Sequence, residues 1–147
     1  MDKHIFINEL KKLIDKIKAK GFDVQGCGKS HVAQIENHYG KLPALYKEYL
    51  YLMGADAGDF KKGTDISADG IDDINESTIE LMQENNIIRP KNMFAFLLHQ
   101  GYSALFFIDR CDNPAVYCYT EGECIKKVEN SFSEYIFHEI EFYGKYQ

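Results

Sequence analysis

The first apolar pattern in the chain has helical spacing. Phe6, Leu10, Leu13, Ile14 and Ile17 fall at i, i+4, i+7, i+8 and i+11, which places them on one stripe of an amphipathic helix. Its end is written in the residues that follow. Lys16, Lys18 and Lys20 complement the negative end of a helix dipole, Gly21 suits a left-handed C′ position, and Phe22 is then placed to reach back to Ile17 as in a Schellman motif. After a Gly-flanked loop at 27–29, Ser30 is read as the cap of a second helix carrying Val32, Ile35 and Tyr39 and stopped by Gly40. Pro43 opens a third, in which Leu42, Leu45, Tyr46, Tyr49, Leu50 and Met53 repeat at helical spacing before Gly54.

From 55 to 70 the pattern dissolves into Gly and Asp, which predicts a loop with one short strand near Ile66. A fourth helix is expected from Ser77, whose capping-box partner is Glu80; Ile79, Leu81 and Met82 give it an apolar face, and Asn85 and Asn86 end it. The period then changes. Residues 92–99, 102–109, 115–120 and 124–128 are short β-branched or aromatic runs separated by turn residues, the pattern of an antiparallel meander. In the second run Tyr102, Ala104, Phe106 and Ile108 alternate with Leu105 and Phe107, so both faces are apolar and a central strand is predicted. A second capping box, Ser131 with Glu134, opens a last helix to about Phe142, with Phe132, Tyr135, Ile136, Ile140 and Tyr143 as its docking stripe. Helices segregated from a meander give an α+β fold: a central antiparallel β-sheet with N-terminal helices and a C-terminal helix packed on it. At 147 residues this is the size of a single domain able to bury a core without staples.

Composition narrows the classes of function. Ten Phe and ten Tyr are the payload of a packed globule, and no apolar run is long enough to span a bilayer. The start of the chain lacks the charged, apolar and cleavage regions of a signal peptide, so a cytoplasmic location is expected, with Cys27, Cys111, Cys118 and Cys124 reduced. A formal net charge of −6 argues against nucleic acid, which requires a basic face to displace phosphate counterions, and favours a basic protein partner.

Candidate chemistry is sparse. Asp65, Ser67, Asp69, Gly70, Asp73 and Glu76 match positions 1, 3, 5, 6, 9 and 12 of an EF-hand calcium loop. Against that reading, Asp72 stands at position 8, usually apolar, no sister loop exists, and Gly54, Gly58 and Gly63 break any entering helix. Cys27 with His31 has the residue types of a nucleophile and base but no third group to orient them. The strand cysteines have no zinc-knuckle spacing, so neither a metal nor a cofactor is expected. His99 and His138 read as structural residues. What remains is the acidic segment. Asp56, Asp59, Asp65, Asp69, Asp72, Asp73 and Glu76, continued by Glu80 and Glu84, face only Lys61 and Lys62. It is either a solubilising surface or the surface that meets a cationic partner, and the first seven are the candidate partner-binding residues.

Ile35-Glu36, Tyr39-Gly40, Leu42-Pro43, Tyr46-Lys47, Tyr49-Leu50 and Met53-Gly54 resemble the leading motif of the SUKH superfamily. Phe106 to Asp109, Asn113 to Tyr117 and Asn130 to Ile136 are similar to the motifs that follow it there. The resemblance covers roughly 30–143 and lies in the order of several short motifs. It implies a fold and a binding role rather than a catalytic site. That family includes fungal regulators of cell-wall assembly and bacterial immunity proteins of polymorphic toxin systems, often directed against nucleases. The expectation is therefore a non-enzymatic protein-binding domain that neutralises a basic toxin domain. Its alternatives are a regulatory or scaffold module of the same fold and, more remotely, a small calcium-binding or Cys/His-dependent enzyme.

Overall fold

The structure is a computed structural model, and it describes residues 1–146. Helix α1 (Lys3–Ala19) turns its predicted stripe inward, with Phe6, Leu10, Leu13, Ile14 and Ile17 all buried. It ends with Gly21 at φ 94° and with the Phe22 and Gly21 amides bonded to the carbonyls of Ile17 and Lys18, the backbone pattern of a Schellman turn. The Phe22 ring stays largely exposed. Helix α2 (Lys29–Tyr39) starts one residue before Ser30. Gly28 is its N-cap and no side chain caps it, so the expected Ser30 cap is not made. Helix α3 (Ala44–Met53) follows Pro43, which sits at the N-cap with extended ψ, and Leu42 lies in the corner before it rather than on the helix.

The segment after α3 contains the short strand β1 (Thr64–Asp65) and a turn of 3-10 helix at Ala68–Gly70. Helix α4 then runs Ile71–Glu84, starting six residues before the expected Ser77. The Ser77–Glu80 spacing thus lies inside a helix and is not a capping box. The meander is β2 (Phe94–His99), β3 (Ser103–Phe107), β4 (Val116–Thr120) and β5 (Lys126–Glu129). β1 joins it, so the sheet order is β1-β2-β3-β4-β5 with every pairing antiparallel. Helix α5 (Phe132–Tyr146) follows the sheet, one turn longer than its stripe predicts. The Ser131 half of its capping box is present, as the hydroxyl accepts from the Glu134 amide at 3.2 Å.

β3 lies in the middle of the sheet and is covered on both sides. Phe107 joins Phe94, Phe96, Val116 and the buried faces of α1, α2, α3 and α5 in one cluster, while Ala104 and Phe106 pack with Ile74, Leu81 and Met82 of α4 in another. A bulge between Ala95 and Leu97 in β2 makes this division possible. In a regular strand Phe94 and Leu98 would share a face; the extra residue sends Phe94 to the large cluster and Leu98 to the α4 side. Phe132 is the hub of the larger core, 1% exposed, with the rings of Phe107, Phe96, Tyr46 and Phe6 at centroid distances of 5.5, 5.6, 5.8 and 6.0 Å. Among the described residues no helix is long and apolar enough to cross a membrane.

Candidate functional site

The motif residues of the N-terminal half fix a corner. Gly40, at φ 89°, ends α2, and the Glu36 carboxylate accepts from the Leu42 amide at 2.9 Å and pairs with Lys47 at 3.4 Å. Arg110, beyond β3, closes the same corner from the sheet side. Its guanidinium donates to the carbonyls of Tyr39 (3.1 Å), Lys41 (2.8 Å) and Asn92 (3.0 Å) and lies over the Phe94 ring. Asn113 holds the other end of the fold, accepting from the Ser133 amide and donating to its hydroxyl, each at 2.9 Å. The Leu45 amide bonds to the Asp112 carbonyl. All of these contacts orient helices.

The acidic residues fall into separate environments. Asp59 is buried, accepting from the Tyr143 hydroxyl at 2.6 Å and pairing with Lys20 at 3.4 Å, so it faces inward and joins the 55–67 segment to α5 and α1. The other six, Asp56, Asp65, Asp69, Asp72, Asp73 and Glu76, are exposed. Asp56, Asp65 and Asp73 line a groove of about 460 Å³ between the 55–67 segment and the first turns of α4, with Phe60, Ile66, Ile74 and Leu98 among its apolar walls. Asp69 and Asp72 border a smaller cleft of about 220 Å³ toward α2, beside His31, His38 and Tyr39. The Tyr39 hydroxyl donates to Asp72; burial first, and that bond second, raise the Tyr39 pKa.

What the spacing alone does not show is the helix under half of this charge. Asp73, Glu76, Glu80 and Glu84 stand at i, i+3, i+7 and i+11 of α4 and are all exposed, forming one stripe with Asp72 beside it. No basic residue occurs on α4. The early start of α4 also removes the calcium loop. Asp65 lies in β1, paired opposite Leu98, and Asp72, Asp73 and Glu76 project from a helix, whereas an EF-hand loop must wrap its ligands around one point. Among the described residues no group of three His, Cys, Asp or Glu side chains is arranged to hold a metal ion.

The candidate nucleophile is no better placed. Cys27 is buried, and burial, then the charge of Asp69, push its thiol pKa up, away from the thiolate that attack requires. His31 lines the cleft toward α4, and Cys27 does not. Cys118 is a buried residue of β4 within 3.6 Å of the Ser103 hydroxyl.

The sheet edges are poor docking sites for another strand. β1 has two residues, and β5 carries Lys126 and Lys127 and a register shift against β4 at Val116/Tyr117. The exposed helical face and its groove are left as the candidate site. The family model described as SMI1 / KNR4 family (SUKH-1) matches residues 26–138, from the loop before α2 into α5. No curated protein matches the chain.

Proposed function

The chain belongs to the SMI1 / KNR4 family (SUKH-1), a family of protein-interaction domains, and on that premise we propose that it is an immunity protein that binds and neutralises a basic toxin domain without catalysis of its own. The observation that carries this reading is the uncompensated stripe on α4. Asp72 and Asp73 have a folding rationale, because first-turn carboxylates complement the helix dipole. Glu76, Glu80 and Glu84 have none: successive like charges at i, i+4 destabilise a helix by about 0.2–0.5 kcal/mol per pair, and Glu84 sits at the negative end. A cationic partner would relieve that repulsion.

A nuclease toxin fits the requirement well, since a cleft that receives phosphates is basic and an inhibitor covering it offers carboxylates instead. Long-range attraction raises the association rate, and salt weakens it as the Debye length falls below about 10 Å. The direct test is to express the toxic C-terminal domain of a neighbouring polymorphic-toxin gene with and without this chain. Protection of the cell and a complex isolated from it are the expected outcomes; toxicity unchanged by the chain overturns the reading. Replacing Glu76 and Glu80 by Lys should slow association and flatten its salt dependence, whereas equal rates and slopes would place the interface elsewhere.

A further inference from the structure

The groove beside α4 has features that steering alone does not need. Its walls are apolar at Phe60, Ile66, Ile74 and Leu98, and carboxylates stand around them at Asp56, Asp65 and Asp73. Neither the Asp65 nor the Asp73 carboxylate has a hydrogen-bond or ion-pair partner among the described residues. Of the two lysines that line the groove, Lys61 is engaged with Glu139 at 3.0 Å, and Lys62 is exposed.

The groove is also preformed. The Asp56 side chain accepts from the Gly58 amide at 2.9 Å, Asp56 and Gln25 exchange backbone hydrogen bonds at 2.8 and 3.0 Å, and the Ala68 amide reaches the Gly54 carbonyl at 2.8 Å. Gly58, at φ 62°, rests so close to α1 that a Cβ there would lie 2.5 Å from the Ile17 side chain. Little order therefore has to be imposed on this wall when something binds.

Resting on the protein-binding reading above, we propose that this groove is the anchor pocket of the interface and takes one arginine or lysine side chain of the partner flanked by apolar residues. The aliphatic stem lies along Ile66, Ile74 and Leu98, and the cationic head meets Asp65 and Asp73. Long cationic side chains combine these two properties, an apolar stem and a charged tip. The stripe on α4 then governs how fast the partner arrives, and the groove governs how long it stays. Contacts of the second kind change the dissociation rate.

The test uses capped tripeptides Leu-Arg-Leu, Leu-norleucine-Leu and Leu-Glu-Leu as probes, titrated into the ¹⁵N-labelled full chain. Saturable shifts of the amides at 63–67 and 73–77 are expected with the arginine peptide. Affinity should fall at least fivefold with norleucine, and no localised shift is expected with glutamate. Asp65→Asn with Asp73→Asn should weaken the arginine peptide to the norleucine level while the rest of the amide spectrum stays in place. Equal affinity for the arginine and norleucine peptides, or shifts spread along all of α4, overturns the pocket. The same double variant is then tried for protection against the toxin domain. Full protection with peptide binding lost also overturns the pocket but leaves the immunity reading intact. Failure of the unaltered chain to protect overturns the immunity reading, and the peptide result stands independently of it.

Discussion

Asn75 of α4 and Ala95 of β2 exchange two hydrogen bonds, Nδ2 donating to the Ala95 carbonyl at 2.9 Å and the Ala95 amide donating to Oδ1 at 2.8 Å. β1 pairs with β2 only at Leu98 and His99, so at Ala95 a helix side chain stands where a neighbouring strand would be. Asn75 is 5% exposed and also donates to the Ile71 carbonyl, so the amide is held from both sides. Asn75→Ala should cost about 1–3 kcal/mol by leaving a buried backbone donor and acceptor unpaired. Asn75→Asp should cost more, since a carboxylate keeps the acceptor, loses the donor and brings a charge. Urea unfolding monitored by circular dichroism measures both, and a cost below about 0.5 kcal/mol for either, the size of an ordinary surface substitution, would show that the pair is dispensable.

Glu36 and Arg110 act on one corner from opposite sides, so their losses should not add. Each side chain makes charge-assisted bonds to the backbone between Tyr39 and Leu42. Glu36→Ala and Arg110→Ala should each cost about 1.5–3 kcal/mol, and the double variant less than the sum by roughly 0.5 kcal/mol or more. Strict additivity in the double-mutant cycle would separate them.

Tyr46, Tyr49 and Tyr135 have hydroxyl pKa values raised above the ordinary tyrosine range, first by burial. The sign follows from which state gives up its proton first. Above about pH 10 the unfolded chain ionises these groups and the folded chain does not, so the unfolded state binds fewer protons and stability falls as pH rises. Below that pH both states are protonated and no dependence arises from them. Each withheld proton contributes a slope of about 1.4 kcal/mol per pH unit, so the loss should begin near pH 10 and be steep. Urea midpoints from about pH 8 to 11, with tyrosinate absorbance recorded alongside, check this; tyrosine ionisation complete before unfolding begins would contradict it.

Asp59 and Glu80 carry the same charge and should respond oppositely to mutation. Asp59→Ala removes the acceptor of the Tyr143 hydroxyl and should lower stability by about 1–3 kcal/mol, with binding affected only through folding. Glu80→Lys removes like-charge repulsion on an exposed helix face and should leave stability unchanged or raise it by a few tenths of a kcal/mol, while slowing association with a basic partner. Thermal melts and association rates of the two variants test the contrast.

Elements with a strong period were legible in the chain. The stripes of α1, α3 and α5 and the two-sided pattern of β3 are repeated many times over, and most of those repeats are buried side chains in the structure. The start of α4 was not legible, because Asp69-Gly70 reads as a turn and Asp72-Asp73 as more of the same loop. In the fold Ile71 and Ile74 are pulled into the core, and the first-turn carboxylates suit the helix dipole, so tertiary burial outweighs the local turn signal. That one boundary governed the site as well. Read as loop, the acidic residues match a calcium-loop spacing that their neighbours already oppose, and otherwise form only a charged segment; read on a helix, they form a stripe. Asp59 differs again, since nothing near it in sequence announces Tyr143 or Lys20 as its partners.

The corner clamp also bears on when the molecule becomes itself during synthesis. Arg110 reaches back 71 residues to Tyr39, and Phe132 supplies the ring against which Phe6 and Tyr46 close. At roughly 5–20 residues per second, a ribosome leaves the first helix without its final neighbour for about 6–25 s. The early helices emerge with their apolar stripes uncovered, and long-range closure of this kind slows folding because the loop entropy is lost before the distant contacts form. A nascent chain stalled before α5 would therefore present the features that chaperones bind, and a cell relying on this protein would gain a working copy only once the last helix had left the ribosome.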